Sequence, residues 1–211
     1  MRILPPPLPE FVNEVLDNDT DWDFSNRVLY DLCEKHADHE RIDVILAKVM
    51  LIGRAYAATI ERRPKSKTGG ASGDDFQKDA AQKIRASDID IWLRTLRKSP
   101  NDKNSETENL VLNIETHAKV MRLFYDISQL DKRSLASKYL HFHFPQRFYI
   151  FDTRAKRAIS QYTASIRTNR PQLTEPDDEY ANFYLRCEDL NNRMGRRLSP
   201  RELDKVLLAK K

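Results

Sequence analysis

Apolar side chains recur three and four positions apart through most of this chain, a period that gathers them on one face of an α-helix and excludes the two-residue alternation of a half-buried strand. Val28, Leu29, Leu32 and Cys33 follow it, as do Ile42, Ile45, Leu46, Val49, Ile52, Tyr56 and Ile60. Only 5 of the 211 residues are glycine, too few for a turn-rich β fold. The spacing predicts an all-α protein of about nine helices with essentially no sheet.

Local signals divide the chain. Pro5 to Pro9 reads as an extended leader, and residues 1–22 are expected to precede a single helical domain over residues 23–211. Within that domain, two lobes are expected around a central cleft, one from residues 23–100 plus the C-terminal helices, the other from residues 105–165. A helix opens at Asp23, and the stripe over residues 40–63 stops at Pro64, because a residue before proline is pushed out of the α region. Residues 65–73 carry three glycines and read as a flexible linker; the full spacing of a phosphate-binding P-loop is missing. Helical spacing resumes over residues 76–96 and, after a polar break at residues 99–105, over residues 106–127. Further helices are expected from Arg133 to just before Pro145, from Asp152 to Ile166, and, after a loop at residues 167–176, from Asp177 to Met194. Ser199 as cap, Pro200 in the first helical position and Glu202 completing a capping box mark one more start.

Charge is unevenly placed. The net charge is +4, but the charged side chains of residues 10–43 are mostly acidic, whereas residues 131–170 hold nine basic and two acidic side chains. A surface built from the second segment attracts a polyanion, DNA or RNA alike on charge alone. Cys33 and Cys187 lie far apart with no paired spacing, which gives no support to a disulfide framework, a zinc site or an iron–sulfur cluster. His141 and His143 stand two apart without a third metal ligand nearby, so one is expected to bond at the helix end and the other to be exposed; no metal or cofactor is expected. No apolar run reaches membrane-spanning length and the proline-rich start does not fit a signal peptide, so the expected location is cytoplasmic and nucleoid-associated, or nuclear in a eukaryote.

The densest chemistry lies between Leu130 and Ile159, where a short helix, a crossing through Pro145, and Asp152 at the head of a basic helix follow one another. An aspartate so placed is an ordinary N-cap. The context, however, resembles the helix-hairpin-helix DNA glycosylases, in which a small residue near a helix start is followed sixteen residues later by an aspartate at the mouth of the base pocket. Ala136 and Asp152 have that spacing, and Phe148-Tyr149-Ile150-Phe151-Asp152 with Lys156 and Arg157 beyond it resembles the monofunctional mismatch-adenine branch. The hairpin glycines of the family fall here on Leu130 and Lys132, and the lysine nucleophile of bifunctional members falls on Ser134.

The resemblance implies a helix-hairpin-helix glycosylase-like fold and a monofunctional enzyme. It would hydrolyse the N-glycosidic bond of a damaged, mismatched or modified base flipped from double-stranded DNA, in base-excision repair or in defence against phage DNA. Lys132 and Lys138 lie close enough in sequence to keep lyase activity open. Asp152 is then the catalytic carboxylate, stabilising the oxocarbenium-like sugar and activating water. Phosphate contacts are expected from Lys132, Arg133, Ser134, Lys138, Arg154, Lys156 and Arg157, with Lys156 and Arg157 rotated about 100° apart on their helix. Tyr139, His141, Tyr149 and Phe151 are the candidate pocket walls, of which one or two are expected to touch a base, since aromatic residues at such spacing are mostly core. Gly53 inside a helix signals close packing or close approach of a partner, with Arg54 and Tyr56 as candidate duplex contacts. One chain supplies the whole cleft, so a monomer is expected. The alternative is a non-catalytic helix-hairpin-helix DNA-binding module in which Asp152 only caps its helix; an RNA-binding or protein-interaction domain is the third possibility.

Overall fold

Ten helices make up the regular structure of the computed structural model, which describes residues 3–18, 20–61, 73–100, 106–166 and 171–209. They are α1 (Pro9–Asp17), α2 (Trp22–Lys35), α3 (Ile42–Ala55), α4 (Gly73–Arg85), α5 (Ile89–Lys98), α6 (Glu106–Ser128), α7 (Arg133–His143), α8 (Thr153–Tyr162), α9 (Asp178–Arg193) and α10 (Pro200–Leu208). Among the described residues there is no strand, and no helix is long and apolar enough to cross a membrane. Most of the glycine-rich linker, with residues 101–105 and 167–170, lies outside the described residues.

Buried side chains divide into two clusters. One joins α2, α3, α4, α5, the C-terminal half of α6 and α7, with Leu29, Ile45, Ile52, Ile84, Leu93, Phe124, Tyr139 and Phe148 at its centre. The other joins α1, α8, α9 and α10 through Val12, Phe151, Ile159, Tyr180, Leu190 and Val206, with Ile114 reaching in from α6. Each such buried side chain contributes about 1.5–3 kcal/mol of transfer free energy. The long α6 serves both clusters, and the segment after α7 passes from one to the other between Phe148 and Tyr149.

The main contacts of the C-terminal helices are with α1, α6 and α8, whereas the expected lobes grouped them with residues 23–100; Asp23 of α2 pairs with Lys205 of α10. The N-terminus is not all leader. Proline at the first position opens α1, and Val12 is buried against the second cluster.

Three helices end earlier than the apolar spacing predicts. The α3 helix stops at Ala55 in a Schellman arrangement, with Ala57 left-handed at φ 50° and Ala58 N–H donating to Gly53 O at 2.7 Å. The chain then folds back over Gly53 so closely that a Cβ there would lie 3.2 Å from Thr59 Cα and 3.3 Å from Ala58 O. The partner that glycine makes room for is therefore the protein's own chain. The expected helix over residues 76–96 is two, because Ser87 Oγ donates to Ile84 O and accepts from Ile89 N–H, ending α4 and opening α5. The α8 helix stops at Tyr162, where the Thr163 hydroxyl bonds back to Ile159 O.

Helices α6 and α7 form a tight hairpin. Its one left-handed residue is Gln129 (φ 59°); Leu130 and Lys132, on which the hairpin glycines of the resembled family fall, do not have positive φ.

Candidate active site

The segment between α7 and α8 turns at residues 145–147 and, among the described residues, has no strand to pair with, so its backbone groups must find other partners. Side chains supply them. His141 Nδ1 donates to Phe148 O at 2.9 Å while its Nε2 accepts from Tyr30 OH, so burial holds the ring neutral and pushes its pKa down to about 4. Tyr184 OH donates to Arg147 O and Tyr180 OH to Tyr149 O. Ser137 Oγ holds the end of the segment, bonding both the N–H and the carbonyl of Phe151. Asp152 is thus delivered to the head of α8 by a fixed track.

The two oxygens of Asp152 do different work. Oδ1 accepts from Arg154 N–H and Ala155 N–H, each at 2.9 Å, and caps α8, worth about 1 kcal/mol. Oδ2 faces Lys138 Nζ at 3.4 Å. The Asp152 side chain keeps 28% of its surface and opens on a cavity of about 890 Å³, whereas Lys138 is 2% exposed. That volume is in the range that holds a small organic ligand. Lys138 also donates to Ser134 Oγ at 2.9 Å and lies 5.4 Å from the Tyr56 ring centre. Burial lowers the pKa of its amine, and Asp152 opposes that shift.

The expected Tyr56, Ser134, Lys138, Phe151, Asp152 and Arg154 are among the residues that line the cavity. Arg154 is exposed at the rim, and among the described residues no carboxylate pairs with it. A further part of the lining was not foreseen. It comes from Arg201, Asp204, Lys205 and Leu208 of α10, with Val15 and Trp22. The three- and four-residue spacing of the α10 group, counted from its capping box, is the signal that places these side chains on one helix face.

Other expected residues lie elsewhere. Tyr139 is fully buried and donates to His39 Nε2, whose Nδ1 is bonded to Asp90. His141 is core, and His143 is half-buried, so neither histidine is the exposed one. Tyr149 bonds Glu188 near a different cavity. Lys132 donates to Thr59 O beneath the end of α3. Arg133 pairs with Asp177 and Glu179, and Lys156 with Glu179 at 2.5 Å, so intramolecular carboxylates answer two of the expected phosphate contacts. Arg54 and Arg157 are exposed and do not line the cavity.

No family model, curated protein or solved structure matches this chain.

Proposed function

We propose that the protein is a DNA glycosylase that takes a flipped nucleotide into the Asp152 cavity and hydrolyses its N-glycosidic bond. The observation that carries this reading is the division of labour at Asp152: one oxygen is pinned by two backbone amides, and the other is turned to the cavity beside Lys138. A carboxylate fixed in this way can face C1′ of a sugar without reorganising, stabilising positive charge as the base departs and taking a proton from the attacking water. Tyr56 offers ring surface to a base, and Arg154 offers a cation to phosphate at the rim. The α6–α7 hairpin preceding this site is consistent with a helix-hairpin-helix glycosylase-like architecture.

The test uses duplexes carrying uracil, hypoxanthine, oxidised guanine or glucosylated hydroxymethylcytosine, with alkaline cleavage to reveal abasic sites. The wild-type protein is expected to release at least one of these bases. Asp152→Asn keeps the cap and removes the charge, so it is expected to bind DNA but lose base release by about 100-fold or more. A fully active Asp152→Asn protein would sink the assignment.

One observation favours a second reading. The resemblance implies simple hydrolysis because the nucleophile position is Ser134, yet Lys138, one turn further along α7, brings its amine to the Ser134 hydroxyl and to Asp152. An amine there can add to the aldehyde of an abasic sugar, lose water to form an imine, and permit β-elimination. Borohydride trapping on preformed abasic DNA separates the readings: a covalent adduct lost in Lys138→Met marks a lyase, and no adduct marks hydrolysis alone.

A further inference from the structure

A second cavity, of about 570 Å³, shares no lining residue with the Asp152 cavity. Helical spacing builds it: Asn109 and Asn113 stand four apart on α6, and Tyr184, Glu188 and Asn192 four apart on α9. Gln146 and Arg147, from the turn after α7, join them. The volume is in the range that holds a small organic ligand.

Arg147 is 9% exposed, and its guanidinium bonds only neutral oxygens. Nη1 donates to Asn109 Oδ1 at 3.2 Å and Nη2 to Ser99 O at 2.6 Å. Of the five N–H groups a guanidinium carries, the other three have no acceptor among the described residues. One of them is on Nε, which is not among the side-chain atoms sealed from solvent. Nor does a described carboxylate answer the charge. The two glutamates of the lining, Glu106 and Glu188, are both held by Arg197, at 3.2 Å and 2.8 Å, and Glu188 also accepts from Tyr149 OH. Burial lowers the Arg147 pKa, and no carboxylate opposes that shift. A cation withdrawn from water without a counter-charge is costly, and an anion in the cavity would relieve that cost.

We propose that this cavity binds a small organic carboxylate on the free N–H groups of Arg147. The planar fork of a guanidinium matches a carboxylate in shape and charge. The balance of charge selects the class of ligand. Two arginines and two glutamates cancel in the described lining, which leaves no net positive field for a nucleic-acid backbone or a phosphate dianion. Gln146 and Asn192 are exposed, and among the described residues their side-chain amides make no hydrogen bond, so both are available to the uncharged part of the ligand. The site is independent of the glycosylase reading.

The test is a titration of the wild-type protein with acetate, N-acetylglycine or inorganic phosphate, against chloride at equal ionic strength. Heteronuclear NMR follows the Arg147 Nε–H and the side-chain amides of Gln146 and Asn192. Both carboxylates are expected to shift the Arg147 signal saturably, with half-saturation at about 1–10 mM, as suits ligands of so few atoms. Chloride is expected to leave it in place. Arg147→Gln is expected to weaken N-acetylglycine binding about tenfold or more, read on the Gln146 amide. Asn192→Ala, on the exposed surface, is expected to weaken N-acetylglycine and leave acetate unchanged. A carboxylate shift that never saturates, or that chloride reproduces, overturns the site on the wild-type protein alone. Tighter binding of phosphate than of either carboxylate overturns the class of ligand, and undiminished binding to folded Arg147→Gln overturns the role of Arg147.

Discussion

Ser137 Oγ accepts the Phe151 N–H at 3.0 Å and lies 3.3 Å from the Phe151 carbonyl, so one buried hydroxyl on α7 sets the position of the residue just before Asp152. Ser137→Ala leaves a buried N–H without its acceptor. The expected loss is about 1–3 kcal/mol of stability, read by denaturant unfolding. On the proposed glycosylase reading, base release is expected to fall further than occupancy of the folded state explains, because Asp152 loses its track. A variant that is less stable yet fully active per folded molecule refutes that link.

The reversal after α3 makes opposite predictions for neighbouring residues. Ala57 holds a left-handed conformation that an alanine adopts at a cost of about 1 kcal/mol, so Ala57→Gly is expected to be stabilising or neutral. Gly53→Ala puts a methyl against backbone at 3.2 Å and 3.3 Å. That overpacking, about 1–3 kcal/mol, outweighs the roughly 1 kcal/mol gain in helix propensity. Urea midpoints of the two variants should therefore move in different directions, or at least not together.

Asp204 and His141 give pH dependence of opposite sign. The Asp204 pKa is raised from 3.8 to about 6, so between those values the folded state holds more protons than the unfolded one and stability falls as pH rises. Asp204→Asn removes that loss and is expected to melt higher relative to wild type at pH 8 than at pH 4. Its advantage is about 3 kcal/mol at most. His141, lowered from 6.5 to about 4, contributes stability that is complete above 6.5 and disappears as pH falls toward 4. His141→Asn is expected to flatten the acid side of the melting curve while lowering stability at pH 7.

Glu179 draws Arg133 and Lys156 together, at 2.8 Å and 2.5 Å. If DNA crosses this surface, Glu179→Gln frees cationic charge for phosphate. Affinity is expected to rise severalfold at low salt, and the dependence of log Kd on log salt to steepen. Fluorescence anisotropy with a duplex over a salt series reads both. An unchanged affinity and slope place the DNA path elsewhere.

The helical character was legible because core contacts impose their period on the sequence, and Ser199, Pro200 and Glu202 marked the start of α10 by local chemistry alone; the capping box is present. The expectation that Asp152 heads a helix was legible for the same reason: a cap is a local arrangement. The helix ends at Ala55 and Ser87 were not, since both depend on how the chain folds back and on a single hydroxyl. Tyr139 and His141 read as pocket walls because an aromatic side chain looks the same in a core and at a cavity. Their hydrogen bonds to His39, Tyr30 and Phe148 O are tertiary facts. Asp204 was missed because it lies about 50 residues from Asp152, and only the packing of α10 on α8 brings the two to one cavity.

The Asp152 cavity is a seam. Tyr56, Ser134 and Lys138 belong to the side built around the first buried cluster, and Phe151, Arg201 and Leu208 to the side built around the second. A molecule lodged there touches both halves at once and acts as mortar between them. Whatever fills the cavity should therefore tighten the protein as a whole, slowing amide exchange in α3 and in α10 together, although neither helix is packed in the other's core.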